Sequence, residues 1–488
     1  MLVPGTPITS CADELLQARD VLLDAFQAAE SMIDSQAKAL VLIEIGALQA
    51  RAEDLASSAA SFEQAAQAAK SISEERDRYW TFVCIAEARA KAGDLEGSLS
   101  QVEVIPNSHF KSSALSMIAV AQAEAGEIEK ANQVIDSIEP SFHFARDAAL
   151  IAVAEAEANA GRVTKAIRTA NEIGSVTEKR IALINIARLT SANGNIEGAR
   201  QATQDIDDSE MKSVALEHVA IGEAKAGNTK NAIETAETIR TPQNRSRAIF
   251  EIAVIQARRG DSEAAEASFN RGLKIGGKDG IKSSQYLKRI ALGLLETGKL
   301  DRATAIAGEL ERASDKAQVF KKIAGAYATE NNLRAARKAF RTAIQFADEI
   351  RENYQKAAAL RGIASAQGKV GFEEDASLTF KRAIDAAGAI PIGGGTDVIA
   401  FIEIGIAQAQ LNDQLNARQT FQRALSSARS YPEEDYVAQL LESIAQGQAK
   451  SGDVEGVLKW VNELDSSVMK ARSFCGAASG IIMADKGG

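Results

Sequence analysis

Five basic residues occupy recurrent places in this chain: Lys288 and Arg289, Lys321 and Lys322, and Arg361. Lys321 follows Lys288 by 33 residues and Arg361 follows Lys321 by 40. Cations placed side by side on successive copies of one structural unit add their potentials. Ammonium and guanidinium groups then hold carboxylates through charge-assisted hydrogen bonds. The chemistry on offer is recognition of an acidic peptide or a terminal carboxylate rather than bond-making. The competing reading is a solvated helix face that carries Lys and Arg without a ligand.

Other reactive patterns are weaker. Gly393-Gly394-Gly395 lacks the Lys-Ser/Thr that completes a phosphate loop and follows no strand, so a flexible loop between repeats is expected. His109, His143 and His218 have no second His or Cys at ligand spacing, so structural or surface roles are expected and no metal site. Glu74-Glu75, Glu373-Glu374-Asp375 and Glu433-Glu434-Asp435 flank expected helix starts, where carboxylates complement the helix dipole. No nucleophile-elbow, zinc-protease or dinucleotide motif is present, and neither catalysis nor a cofactor is expected.

The elements that position the five cations are repeats. An apolar residue, an Ile or Val three residues on and then a small residue recur twelve times between Leu42 and Gly452, as in Leu115, Ile118 and Ala119. Eight residues after the Ile or Val comes Gly in nine copies, Asn331 and Asn412 in two, and Glu53 in the first. Gly and Asn best tolerate the left-handed conformation that closes a helix. Asp or Asn follows in eight copies (54, 94, 195, 228, 261, 332, 413 and 453), suited to capping the next helix. Each copy therefore reads as helix, tight turn, helix, and the basic pairs lie ten and nine residues before their turns.

Successive turns are 33 to 41 residues apart, and the long copies carry Phe nine residues past the turn: Phe62, Phe269, Phe340, Phe380 and Phe421. These rings are expected to be buried anchors of longer second helices.

The pattern resembles the tetratricopeptide repeat. Phe82, Ile85-Ala86 and Gly93-Asp94 match the first half of that family's motif, and Ala336, Phe340 and Ala343, or Ala417, Phe421 and Ala424, match the second. The likeness runs from about residue 35 to residue 488. The closing Pro is absent, and the position four residues before the turn is often polar (Gln122, Glu157, Gln256, Gln408) instead of aromatic. The resemblance implies first helices lining a concave face, where basic residues at the first of the two positions clamp a partner's carboxylate. The clamp's Asn four residues later is replaced by Leu292, Gly325 and Ser365.

Composition bounds the rest. A net charge of −10 opposes general nucleic-acid binding, and no apolar run reaches the roughly 20 residues of a membrane helix. With 45% hydrophobic but only 5% aromatic residues, Ala, Leu and Ile must do the packing. No secretory leader is visible, and Cys11, Cys84 and Cys475 are expected to be free thiols of a cytoplasmic protein. Cys11 and Cys475 are not expected to pair, because the two ends of a solenoid rarely meet.

The expected fold is all-α: a right-handed solenoid of about twelve helix-turn-helix repeats with a terminal helix at each end, 26 principal helices in total. Residues 1–34 read as a tail and capping helix, 35–275 and 284–488 as two halves of the array, and 276–283, with Gly276, Gly277 and Gly280, as a candidate hinge loop. The expected function is a non-enzymatic scaffold or adaptor that binds a protein or peptide. The alternative is a regulatory sensor or inhibitory subunit that controls a partner enzyme.

Overall fold

The computed structural model describes residues 11–281 and 284–485, with side chains described for 12–275 and 287–484. Among the described residues there are twenty-six helices and no strand. Helix α1 is Cys11–Glu30 and α26 is Ser467–Asp485; between them lie twelve pairs, from α2 (Ser35–Arg51) with α3 (Leu55–Lys70) to α24 (Glu434–Lys450) with α25 (Val454–Asn462). Within each pair the even-numbered helix comes first and carries the Leu-x-x-Ile-Ala pattern. Those apolar residues face inward: Leu42, Ile45, Ile85, Ile118 and Ile186 are all fully buried.

All twelve turn positions have positive φ, including Asn331 at 58°, Asn412 at 63° and Glu53 at 61°. The backbone closes each first helix in the same way. At the second repeat the Gly93 amide donates to Ala90 O at 3.1 Å and the Asp94 amide to Arg89 O at 2.9 Å. Asp94 then accepts from the Gly97 amide at 2.8 Å and so caps α5 (Leu95–Glu103). Seven of the eight expected Asp/Asn caps form in this way, and Asn228 alone makes no side-chain cap bond.

The five phenylalanines are buried, none more than 3% exposed. Two of them explain the small residue of the motif. A Cβ at Gly46 would lie 2.8 Å from the Phe62 ring, and one at Gly405 would lie 2.9 Å from the Phe421 ring. The two repeats with Gly in place of Ala are ones whose ring presses on the first helix.

Two expectations about organisation need correction. The Gly276–Gly280 segment is no loop: α15 is one helix from Ser262 to Ile281, and only residues 282 and 283 of the candidate hinge lie outside the described residues. Each helical glycine costs about 1 kcal/mol relative to alanine, which a helix seated on a packed repeat tolerates. The chain also does not divide at that segment. It forms two compact units, Met1–Lys111 together with Ile350–Gly488, and Ser112–Glu349.

The first of these units exists because the two ends of the chain meet. Helix α1 and helix α2 both pack on α26. The sequence carries the cause: α26 has few charges, and Ala471, Phe474, Cys475, Ala478, Ile481 and Ile482 are all buried. A helix apolar around its circumference must be covered on more than one side. Its other neighbour, α24, approaches so closely that a Cβ at Gly476 would lie 2.1 Å from the Glu442 carbonyl oxygen.

Candidate interaction surface

The five cations lie on first helices, as their spacing requires. Lys288 and Arg289 are on α16 (Ser284–Glu296), Lys321 and Lys322 on α18 (Ala313–Thr329), and Arg361 on α20 (Asn353–Lys369). The structure supplies most of them with carboxylates from neighbouring repeats. Lys288 Nζ is 3.0 Å from Asp315 of α18, and Arg289 Nη1 is 2.9 Å from Glu251 of α14 (Pro242–Arg258). Arg361 Nη2 is 3.2 Å from Glu403 of α22 (Thr396–Ala409). Lys321 is half-buried and engaged within the chain, whereas Lys322 is exposed. Arg361 belongs to one compact unit and the other four to the second.

These pairs obey the repeat register. Glu251 and Glu403 stand nine residues before their own turns, at the position that Arg289 and Lys322 fill in their repeats. The same first-helix position thus carries an acid in some repeats and a base in others. Acids there were as legible in the sequence as the bases.

Sequence reasoning missed an apolar groove between α2 and α4 (Glu75–Lys91), with a cavity of about 460 Å³. Ile43, Ala47, Ala50, Cys84 and Ala88 line it, and Arg51, Glu87 and Lys91 stand at its charged edge. Burial, followed by the Glu87 charge, pushes the Cys84 thiol up to about 11, so this sulfur lines the groove as a neutral group. The signal available in the sequence was the small and aliphatic residues on the half of each first helix not used by the motif.

Where the chain ends meet, Glu44 of α2 faces Glu442 of α24, and Arg472 of α26 is 3.0 Å from Glu442. Burial, the Glu442 charge and a hydrogen bond between the two carboxyls raise Glu44 to about 8. Glu44 thus keeps its proton near neutral pH, beside Glu442 and the Arg472 guanidinium. The buried Cys475 thiol beside them is held well above its usual range by desolvation. Cys84 and Cys475 are free, and the side chain of Cys11 lies outside the described residues.

Of the remaining candidates, Gly393–Gly395 is a loop, and Gly394 and Gly395 adopt φ of 65° and 67°. It is pinned rather than loose: the Gly393 and Gly395 amides donate to the Tyr431 hydroxyl at 3.1 and 3.2 Å, and that hydroxyl donates to Asp397 at 2.5 Å. His218 is half-buried, and desolvation together with Arg188, Arg247 and Lys225 lowers its pKa, which keeps the ring neutral.

The repeated helix-turn-helix geometry decides the class. The chain is an all-α helical repeat protein built of twelve helix-turn-helix units. No protein-family model matches it, and no curated protein matches it in sequence. Among solved structures it is similar to yeast Tom70, at 14% identity and a TM-score of 0.31, covering 90% of this chain and 95% of that one. It is similar to Naa15/Naa10 bound to HypK-THB, at 15% identity and a TM-score of 0.29, covering 88% and 83%. It is also similar to the pentatricopeptide repeat protein PPR10 from maize, at 16% identity and a TM-score of 0.34, covering 99% and 71%. The helical-repeat architecture stands on this chain's own helices and turns. Among the described residues of the repeat protein, no helix is long and apolar enough to cross a membrane.

Proposed function

We propose that this TPR-like chain is a non-catalytic, cytoplasmic scaffold that takes a protein or peptide partner on its first-helix surface. The groove between α2 and α4 carries this reading. Its floor of Ile43, Ala47 and Ala88 suits apolar side chains, and its edge of Arg51, Glu87 and Lys91 suits the polar backbone and charges of a peptide. Capture from the native host tests it. Wild-type protein should retain a stoichiometric protein partner, and Ala47→Glu with Ala88→Glu should release it while helical content stays unchanged. Retention by the double variant removes the groove from the reading.

The finer assignment concerns an acidic partner at Lys288, Arg289, Lys321, Lys322 and Arg361. A partner carboxylate there must displace Asp315, Glu251 or Glu403, or engage the exposed Lys322. Lys321→Glu with Lys322→Glu should abolish capture of such a partner in a salt-sensitive way, since exposed charges are screened over about 8 Å at physiological ionic strength. Wild-type affinity in that variant returns the stripe to solvated surface.

A further inference from the structure

Charge is distributed unlike the chain average on helix α19 (Leu333–Asp348). It carries Arg334, Arg337, Lys338 and Arg341 against one acid, Asp348, in a chain of net charge −10. No other second helix among the described residues combines four cations with a single acid. Ala336, Ala339, Phe340, Ala343 and Ala347 are buried, which anchors the helix rigidly and leaves all four cations exposed. Residues 334, 338 and 341 recur at helical spacing and form one stripe. Seven residues at 1.5 Å each make it about 10 Å long.

Several cations of other second helices find carboxylates of a neighbouring repeat. Arg271 pairs with Glu237, Arg302 with Glu266, and Arg418 with Asp453 at 2.7 Å. Arg337 is likewise engaged. Arg334, Lys338 and Arg341 make no ion pair among the described residues. Like charges at i and i+4 or i+3 repel, so the bare stripe costs stability that a bound anion would return.

We propose that the Arg334–Lys338–Arg341 face of α19 docks a short acidic segment of a partner protein, with carboxylates spaced to match two helical turns. The inference rests on the scaffold reading and names the chemistry of one partner. Its length selects the ligand class. A nucleic acid or an anionic membrane extends well past 10 Å and would meet the negative remainder of the chain, whereas a run of three or four carboxylates ends where the stripe ends.

A fluorescent 20-residue helical peptide whose only acids are three central Glu residues spaced four and three positions apart is the probe, titrated against the full chain at two salt concentrations. Binding should weaken as salt rises. It should fall at least tenfold in R334E/K338E/R341E and several-fold in R334Q/K338Q/R341Q, the second variant serving if charge reversal disturbs folding. K321E/K322E should leave it unchanged. Equal binding by both triple variants overturns the proposal. So does tighter binding of a single-stranded oligonucleotide or of phosphatidylserine vesicles, or loss of self-association as the main effect of the substitutions. If the native partner is retained equally by wild type and triple variants, the α19 face falls and the scaffold reading stands. If no protein partner is retained at all, the scaffold reading itself falls.

Discussion

The Thr420 hydroxyl on α23 (Gln414–Ala428) donates a 2.7 Å hydrogen bond to the side-chain oxygen of Gln408 on α22, and both residues are buried. Gln408 stands four residues before its turn, where tetratricopeptide repeats carry an aromatic, and Thr420 stands eight after it. The same register recurs in Ser61 to Gln49 at 2.7 Å, Thr169 to Glu157 at 2.8 Å and Trp460 to Gln448 at 3.2 Å. A polar bond replaces the aromatic contact between the two helices of a repeat.

Breaking one partner of that bond should therefore cost more than removing both. Gln408→Leu or Thr420→Val alone leaves a buried polar group unpaired, at about 1–3 kcal/mol. The double variant should be less destabilised than the sum of the singles, as a urea-unfolding double-mutant cycle would read. Additive effects would show that the bond contributes nothing to the pairing.

Glu53 holds φ of 61° without the help of a glycine, at a position that is Gly in nine repeats. Glu53→Gly should raise the stability of the first repeat by up to about 1 kcal/mol, because relief of left-handed strain exceeds the added chain entropy. A melting temperature equal to or below wild type would contradict this.

Rings and small residues should behave as matched pairs. Phe340→Ala should cost about 3–5 kcal/mol locally. Gly405→Ala should cost about 1–3 kcal/mol by forcing Phe421 out of its site, with part of the loss regained in the Gly405→Ala, Phe421→Leu double variant. Denaturant curves of the three proteins check the coupling.

The seam between chain ends should respond to pH. Glu44 is raised to about 8, so the folded state holds a proton that the unfolded chain releases near 4.5. Stability from this group is full below about 4.5 and is lost as pH rises through about 8, with a slope of up to about 1.4 kcal/mol per pH unit between them. Burial drives the loss first and the Glu442 charge second, and Arg472 opposes it. Glu44→Gln should flatten the dependence and stabilise the protein most at pH 8, as unfolding curves from pH 4.5 to 8.5 would show.

Periodicity alone determined the repeat. A left-handed closing residue, a capping side chain and an apolar helical stripe are local requirements, so Gly126, Asp94 and Ile118 announce them in one dimension. Helix number and the burial of Phe62 and Phe340 follow from the same local rules. The meeting of the chain ends is different, because α26 and α1 are neighbours only in space, and the apolar circumference of α26 identifies no covering helix. The state of the basic stripe was likewise beyond one-dimensional reading. Lys288 is a cation in any sequence, but its pairing with Asp315, 27 residues on, depends on how one first helix lies against the next. Coulomb energy depends on distance, and distances between repeats are set by packing.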